Sequence, residues 1–234
     1  MKINGRILIY LLIITGLVII NNRCKKDNNT APKPELETLN DIDSNHYHIV
    51  SIAAQTWMVE NLKTTRYNDG TVIPFITDDA IWSGLTSPGY SWYDNDSISD
   101  KNTYGALYNW YAVNTGKLCP AGWHVPSDAE WSMLINNMGI DSVAGGKLIE
   151  EGSSHWQSNI PGATNESEFT ALPGGYRGTS GTFFYKGLYC SFWSSTANDT
   201  ISAWYRDMGG NTTEVERGTI DDRYGFSVRC IKDN

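Results

Sequence analysis

At 234 residues with 26 acidic against 18 basic side chains, the chain carries a net charge of −8, and polyanions are poor partners for it. Nucleic acid is therefore excluded, as is binding to anionic lipid through charge. The length suffices for one domain with a single core, and nine tryptophans supply much of its apolar surface.

Lys2 and Arg6 precede an apolar run, Ile7 to Ile20, that ends in Asn21, Asn22, Arg23 and Cys24. That is the layout of an export signal. As a helix the run would span roughly 21 Å, short of the ~30 Å hydrocarbon core of a bilayer, so residues 1–23 are expected to be a cleaved signal rather than a retained span. Cys24, placed just past the run and before Lys25, Lys26 and Asp27, resembles the lipidation site of bacterial lipoproteins, although Asn22 and Arg23 stand where such sites usually carry small residues. The alternative is cleavage elsewhere, with Cys24 an incidental thiol. The lipidation reading places the protein in the cell envelope, in the outer membrane on its periplasmic or outer face, with the membrane a partner through the anchor. Removing residues 1–23 takes away three basic groups and moves the charge to −11. Residues 24–40, rich in Asn, Lys, Thr, Pro and Glu, read as a flexible tether, and 41–234 as the domain.

Within the domain, His46 to Ala53 and Gln55 to Leu62 alternate as two strands, and Asn68-Asp69-Gly70 is a turn signal. Tyr104 to Val113 (YGALYNWYAV) suits a short buried helix or a strand. Ser127 and Glu130 have the spacing of a capping box, and Trp131, Leu134, Ile135 and Met138 then repeat at helical spacing up to Gly139. That pattern predicts a helix over Ser127 to Met138, followed by a shorter one near Val143 to Glu150. Strand-like segments fill the rest: Phe169 to Leu172, Thr182 to Tyr185, Leu188 to Ser194, Ile201 to Met208, Thr213 to Arg217 and Gly225 to Ile231. Helices grouped among many short strands indicate an α+β fold with a largely antiparallel, loop-rich sheet. Cys119, Cys190 and Cys230 allow one bridge in an exported protein. The residues alone do not choose among the three pairings, nor against three reduced thiols.

The stretches QTWMVENLKTTRYNDG (Gln55 to Gly70), YGALYNWYAV, CPAGWHVPSDAEW (Cys119 to Trp131), AGGKL (Ala144 to Leu148), GATNESEFTALPGGYR (Gly162 to Arg177), FWSST (Phe192 to Thr196) and GFSVRC (Gly225 to Cys230) carry a resemblance. Together with Asp41-Ile42-Asp43 they resemble the Fibrobacter succinogenes major paralogous domain family, in order, over residues 41 to 233. The resemblance implies an exported bacterial lipoprotein whose domain is related to the C-type-lectin-like fold of formylglycine-generating enzymes. It also implies a bridge between Cys119 and Cys230, both in family motifs, with Cys190 the odd thiol. Formylglycine-generating enzymes use two nearby cysteines and copper. Here Cys190 and Cys230 are far apart in sequence, so neither that chemistry nor a metal or other cofactor is expected.

Other constellations are thin. No G-x-S-x-G elbow sets a serine beside a base. His46 and His48 share a strand face without a third ligand. Asp41-Ile42-Asp43 begins like a calcium loop but lacks its glycine and final glutamate. Thr77-Asp78-Asp79 and Trp92-Tyr93-Asp94-Asn95-Asp96 are acidic loops that read as solvated turns, with calcium in a lectin-like fold the alternative, although neither matches the Glu-Pro-Asn or Gln-Pro-Asp triplet of calcium-dependent lectins. Glu166 and Glu168 carry no information on a separation across a substrate. Trp57, Trp110, Trp123, Trp131 and Trp193 lie in strand or helix contexts and are expected to be core. Trp82, Trp92 and Trp156 lie in polar stretches, where the rings either tuck under their own loops and complete the core or stand exposed; the binding reading expects at least one to be exposed and to stack on a ligand. The expectation is a non-catalytic binding or adhesion module for a glycan or a partner protein. An enzyme with an unrecognised site is the alternative.

Overall fold

Residues 37–233 are described by the structure, a computed structural model; the expected export segment, Cys24 and most of the expected tether lie outside them. In chain order the strands are β1 (Thr38–Asn40), β2 (His46–Ile52) and β3 (Gln55–Met58), then helix α1 (Asp79–Ser83), β4 (Tyr90–Ser91), α2 (Lys101–Tyr104), β5 (Leu107–Tyr108), α3 (Trp110–Val113) and β6 (Trp123–His124). Helices α4 (Asp128–Met138) and α5 (Asp141–Leu148) follow, and the chain closes with β7 (Tyr176–Arg177), β8 (Phe183–Phe184), β9 (Tyr189–Ala197), β10 (Ser202–Gly209), β11 (Val215–Asp221) and β12 (Ile231–Lys232). The fold is α+β. A five-stranded sheet runs β1-β2-β3-β12-β6, a three-stranded sheet β11-β10-β9, and two short ribbons pair β4 with β5 and β7 with β8, with every strand pair antiparallel.

Local chemistry explains the best-formed pieces. In β2 the two-residue period buries Tyr47 and leaves His46 and His48 outside. Helix α4 starts at a capping box: the Ser127 hydroxyl accepts from the Glu130 backbone N–H at 3.3 Å and the Glu130 carboxylate accepts from the Ser127 N–H at 2.7 Å. Its face of Trp131, Leu134 and Ile135 is buried, and Gly139 stops it at a φ of 127°. Asp41 serves its own turn, accepting from the N–H groups of Asp43 and Asn45 and from the Tyr47 hydroxyl, while Asp43 reaches the segment after β3 and accepts from the Thr64 hydroxyl and from the Thr65 N–H and hydroxyl.

Three boundaries depart from the sequence pattern. Strand β1 lies inside the segment read as tether: Thr38 to Asn40 pair with β2, and the Ile49 N–H donates to the Glu37 carbonyl. Pairing with an existing edge orders a segment that has little apolar content of its own. Tyr104 to Val113 is neither one helix nor one strand but the end of α2, β5 and α3 in succession, broken at Gly105 and capped by the Asn109 side chain. Phe169 to Leu172 and Gly225 to Cys230 contribute isolated bridges where regular strands were expected, apart from β12 itself.

The core has two parts on either side of the β9–β10–β11 sheet. Cys190, Phe192 and Met208 pack with Trp57, Trp131 and Phe169 on the side of α4, while Trp193 packs with Phe226, Tyr108 and Trp110 on the other. The Arg229 guanidinium is buried between Phe169 and Phe192 and donates to the Asn61 side chain and to the Phe169 and Thr170 carbonyls. Cys119 is bonded to Cys230, which ties β12 to the segment before β6, and Cys190 is a buried free thiol.

Candidate functional site

Alternation along β9, β10 and β11 sets the site. Arg206 and Met208 point to the α4 side, so Tyr205 and Asp207 point to the opposite face, in register with Ser191 of β9 and Glu216 of β11. Towards Tyr205 that face is covered by Phe226, whose ring centroid lies 5.3 Å from that of Tyr205. Towards Asp207 it is open. Two adjoining hollows of about 250 and 460 Å³ share Tyr189, Asp207 and Glu216 as lining. Tyr176 of β7 and Tyr185, just after β8, complete an aromatic wall, with Tyr185 5.7 Å from Tyr176 and 5.5 Å from Tyr189 between centroids, tilted 65° and 62°. Tyr185 lines the groove, is 49% exposed and holds a φ of 61°. The tight Gly209–Gly210 turn after β10 forms one end, and a Cβ on Gly210 would collide with the Tyr189 ring.

The groove is acidic. The Ser191 hydroxyl donates to Asp207 Oδ1 at 2.9 Å and the Tyr205 hydroxyl donates to Glu216 Oε1 at 3.2 Å. Burial pushes the Asp207 carboxyl up to about 7, the Glu216 charge adds to this, and the Ser191 hydrogen bond opposes it. Burial likewise raises Tyr176 to about 12. Nearby cations are engaged elsewhere. Arg206 and Arg217 both bind Asp128 on the helix side, at 2.8 and 2.9 Å, and Lys186 binds Asp100 at 2.9 Å. Among the described residues neither Asp207 nor Glu216 forms an ion pair.

The tryptophans singled out from the sequence lie elsewhere. Trp82, Trp92 and Trp156 are 0%, 4% and 5% exposed, so the expected exposed ring is not found among them. Trp82 lies under the Arg177 guanidinium at 4.4 Å, Trp92 packs edge-on against Tyr90 at 5.5 Å, and Trp156 joins the core beside Ile160 and Cys190. Their polar neighbours cap local backbone while the large rings fill space beneath the loops. Trp57, Trp110, Trp123, Trp131 and Trp193 are buried as expected. Trp204, on β10, is only half-buried, but its face is covered by the Arg217 guanidinium at 3.6 Å.

The two acidic loops do meet, lining an open cleft of about 590 Å³ with Thr182 and Phe183. Three of their four carboxylates, all but that of Asp94, are occupied structurally. Asp78 caps α1 through the Ile81 N–H, Asp79 pairs with Arg177 at 2.9 Å, and Asp96 accepts from Ile98 and Ser99. His48 is held by Glu60 at 2.6 Å, and Glu166 by Lys147 at 2.8 Å. The described residues contain no group of three His, Cys, Asp or Glu side chains that could hold a metal ion.

Sequence reading missed Tyr176, Tyr185, Tyr189, Asp207 and Glu216 as a group. The signal present was tyrosine density in GGYRGTSGTFFYKGLYC, but strand register alone decides which of these rings share a face with Asp207.

No curated protein and no solved structure matches the chain. The family model described as the Fibrobacter succinogenes major domain matches residues 50–232, and with most of its length so covered the chain belongs to that family.

Proposed function

We propose that the protein is a lipid-anchored binding module of the cell envelope, with a C-type-lectin-like domain presented from the outer membrane. The groove between β7–β8 and the β9–β10–β11 sheet is its ligand site, and it takes part of a glycan or of a partner protein. The observation that carries this reading is the convergence of Tyr176, Tyr185 and Tyr189 with Asp207 and Glu216 around one open hollow. Flat aromatic faces beside fixed hydrogen-bonding groups are the usual composition of a small-ligand site. The lectin-like assignment is supported by small antiparallel sheets carrying long loops and by a bridge across a sequence separation of 111 that closes the domain near its C-terminus. Anchoring rests on the N-terminal apolar run and Cys24.

A glycan array probed with the mature protein in detergent tests the site. Retention on one or more glycans is expected, and Tyr185→Ala should weaken it at least tenfold, since that ring is half exposed and its removal costs little packing. Undiminished retention of both Tyr185→Ala and Asp207→Asn would move the site elsewhere.

A second reading has one specific observation in its favour. Asp207, whose carboxyl burial pushes up to about 7, stands beside the exposed Glu216 and is the kind of raised carboxyl that does general acid work. Release of nitrophenol from chromogenic glycosides by the parent, abolished in Asp207→Asn, would favour an enzyme over a binding module.

A further inference from the structure

The polarity of the groove specifies its ligand more narrowly. Glu214 and Glu216 both line the hollow with Asp207, and Glu216 stands directly opposite Asp207 across the antiparallel pair β10–β11. Like charges at directly opposed positions are unfavourable, and a desolvated carboxylate without a counter-ion is more so. Proteins ordinarily relieve such a pair with arginine or lysine. Here the two arginines on the same strands are turned to the other face and bound to Asp128, and Lys186 is bound to Asp100. The positive partner is therefore missing from the described chain on this face, whereas tyrosine rings are present. The rings are tilted by 62° and 65° to one another, so they form a concave wall, and aromatic faces attract cations as well as packing on apolar surface. The rim adds neutral hydrogen-bonding groups: the Tyr189 hydroxyl, the Thr212 hydroxyl and the Asn211 amide.

Resting on the binding reading above, we propose that the groove selects an amino sugar whose nitrogen is unacetylated, its ammonium seated between Asp207 and Glu216 and its ring against Tyr185 and Tyr189. An ammonium supplies the missing positive charge. The sugar hydroxyls match the polar rim, which the alkyl chain of a lysine would leave unpaired. The chain's net charge of −8 steers such a cation inward without providing selectivity.

Calorimetric titration of the mature protein in detergent, at pH 7 and moderate salt, where Asp207 has already released part of its proton and an ammonium can draw off the rest, tests this with three probes: a glucosamine tetramer, the fully N-acetylated tetramer, and lysine amide blocked at its α-nitrogen. The glucosamine tetramer should bind at least tenfold more tightly than either of the others. Glu216→Gln and Asp207→Asn should each erase most of that preference, and Asp199→Asn, a distant surface carboxylate, should leave it intact. Equal loss in Asp199→Asn would reduce the effect to overall charge and overturn the proposal. Equal or tighter binding of the N-acetylated tetramer, still sensitive to Tyr185→Ala, would overturn the amine and leave the groove as a glycan site. Equally tight binding of the lysine probe would overturn the sugar. A blank with all three probes would overturn the amino-sugar assignment, and the glycan array then decides the binding reading separately.

Discussion

Asp207 couples the groove to pH. Its carboxyl is raised from 3.8 to about 7, so the folded protein holds a proton that the unfolded chain has already released over that interval. Stability is then greatest, as far as this group is concerned, at acid pH and falls as pH rises from about 4 to about 7, levelling off above. Burial is the largest influence on it, the Ser191 hydroxyl from β9 and the Met208 backbone N–H oppose the shift, and the Glu216 charge from β11 adds to it; the Asp207 charge in turn raises Tyr205 on its own strand, Tyr176 from β7 and Cys190 from β9. Asp207→Asn keeps an acceptor for Ser191 and removes the charge. Its melting temperature should exceed that of the parent at pH 8, match it near pH 4, and lose the decline between, with each kcal/mol showing as about 2–4 °C. At the same scale Trp82 is now a core residue stacked under Arg177. Trp82→Ala should cost about 3–5 kcal/mol in urea unfolding, where an exposed ring would cost a small fraction of that.

Among the elements, α4 is the one whose local code is complete. Ser127→Ala removes the acceptor for the Glu130 N–H and the donor to its carboxylate, and should lower stability by about 1 kcal/mol in thermal unfolding, with the groove still binding. Glu130 carries a second duty. Its carboxylate also holds His124 at 2.9 Å, and the hydrogen bonds to Ser127 and His124 outweigh burial and bring its pKa down. The helix also serves the sheet, because Asp128 at its first turn binds both Arg206 and Arg217. By holding those cations on the far side of β10 and β11, α4 keeps the groove face acidic without touching it. Asp100 does the same for Lys186 on the wall side.

On the scale of the whole molecule the Cys119–Cys230 bond encloses nearly all of the C-terminal half of the chain, from the segment before β6 to the start of β12. Closing a loop of that length is worth on the order of 4–5 kcal/mol in the chain-entropy model. Cys119→Ser should therefore unfold at markedly lower urea, and the parent should fall to the same midpoint once reduced. Cys190 is buried with its thiol pushed well up by desolvation, so in the native protein it should react with thiol reagents only as fast as the molecule opens. Lipid anchoring belongs to the same scale. Cys24→Ala should move the protein from the membrane fraction to the soluble one, and full retention would remove Cys24 from that role.

The sequence alone determined those features whose physics is local. The capping box and apolar repeat of α4, the alternation of β2, the α+β class and the burial of Trp131 and Trp193 follow from residues within a turn or two of one another. The family motifs identified Cys119 and Cys230 as partners, a pairing that spacing left open. Only the tertiary structure decided the rest. Whether Trp82, Trp92 or Trp156 faces water depends on what lies beneath each loop, and polar neighbours that looked like exposure turned out to cap backbone above a buried ring. Strand β1 exists because an edge of β2 waits for it. The groove itself needs three strands in one register, a ribbon that brings Tyr176 and Tyr185 to their open face, and a helix on the other side that draws the arginines away. None of those relations is local, so no window of the chain could contain them.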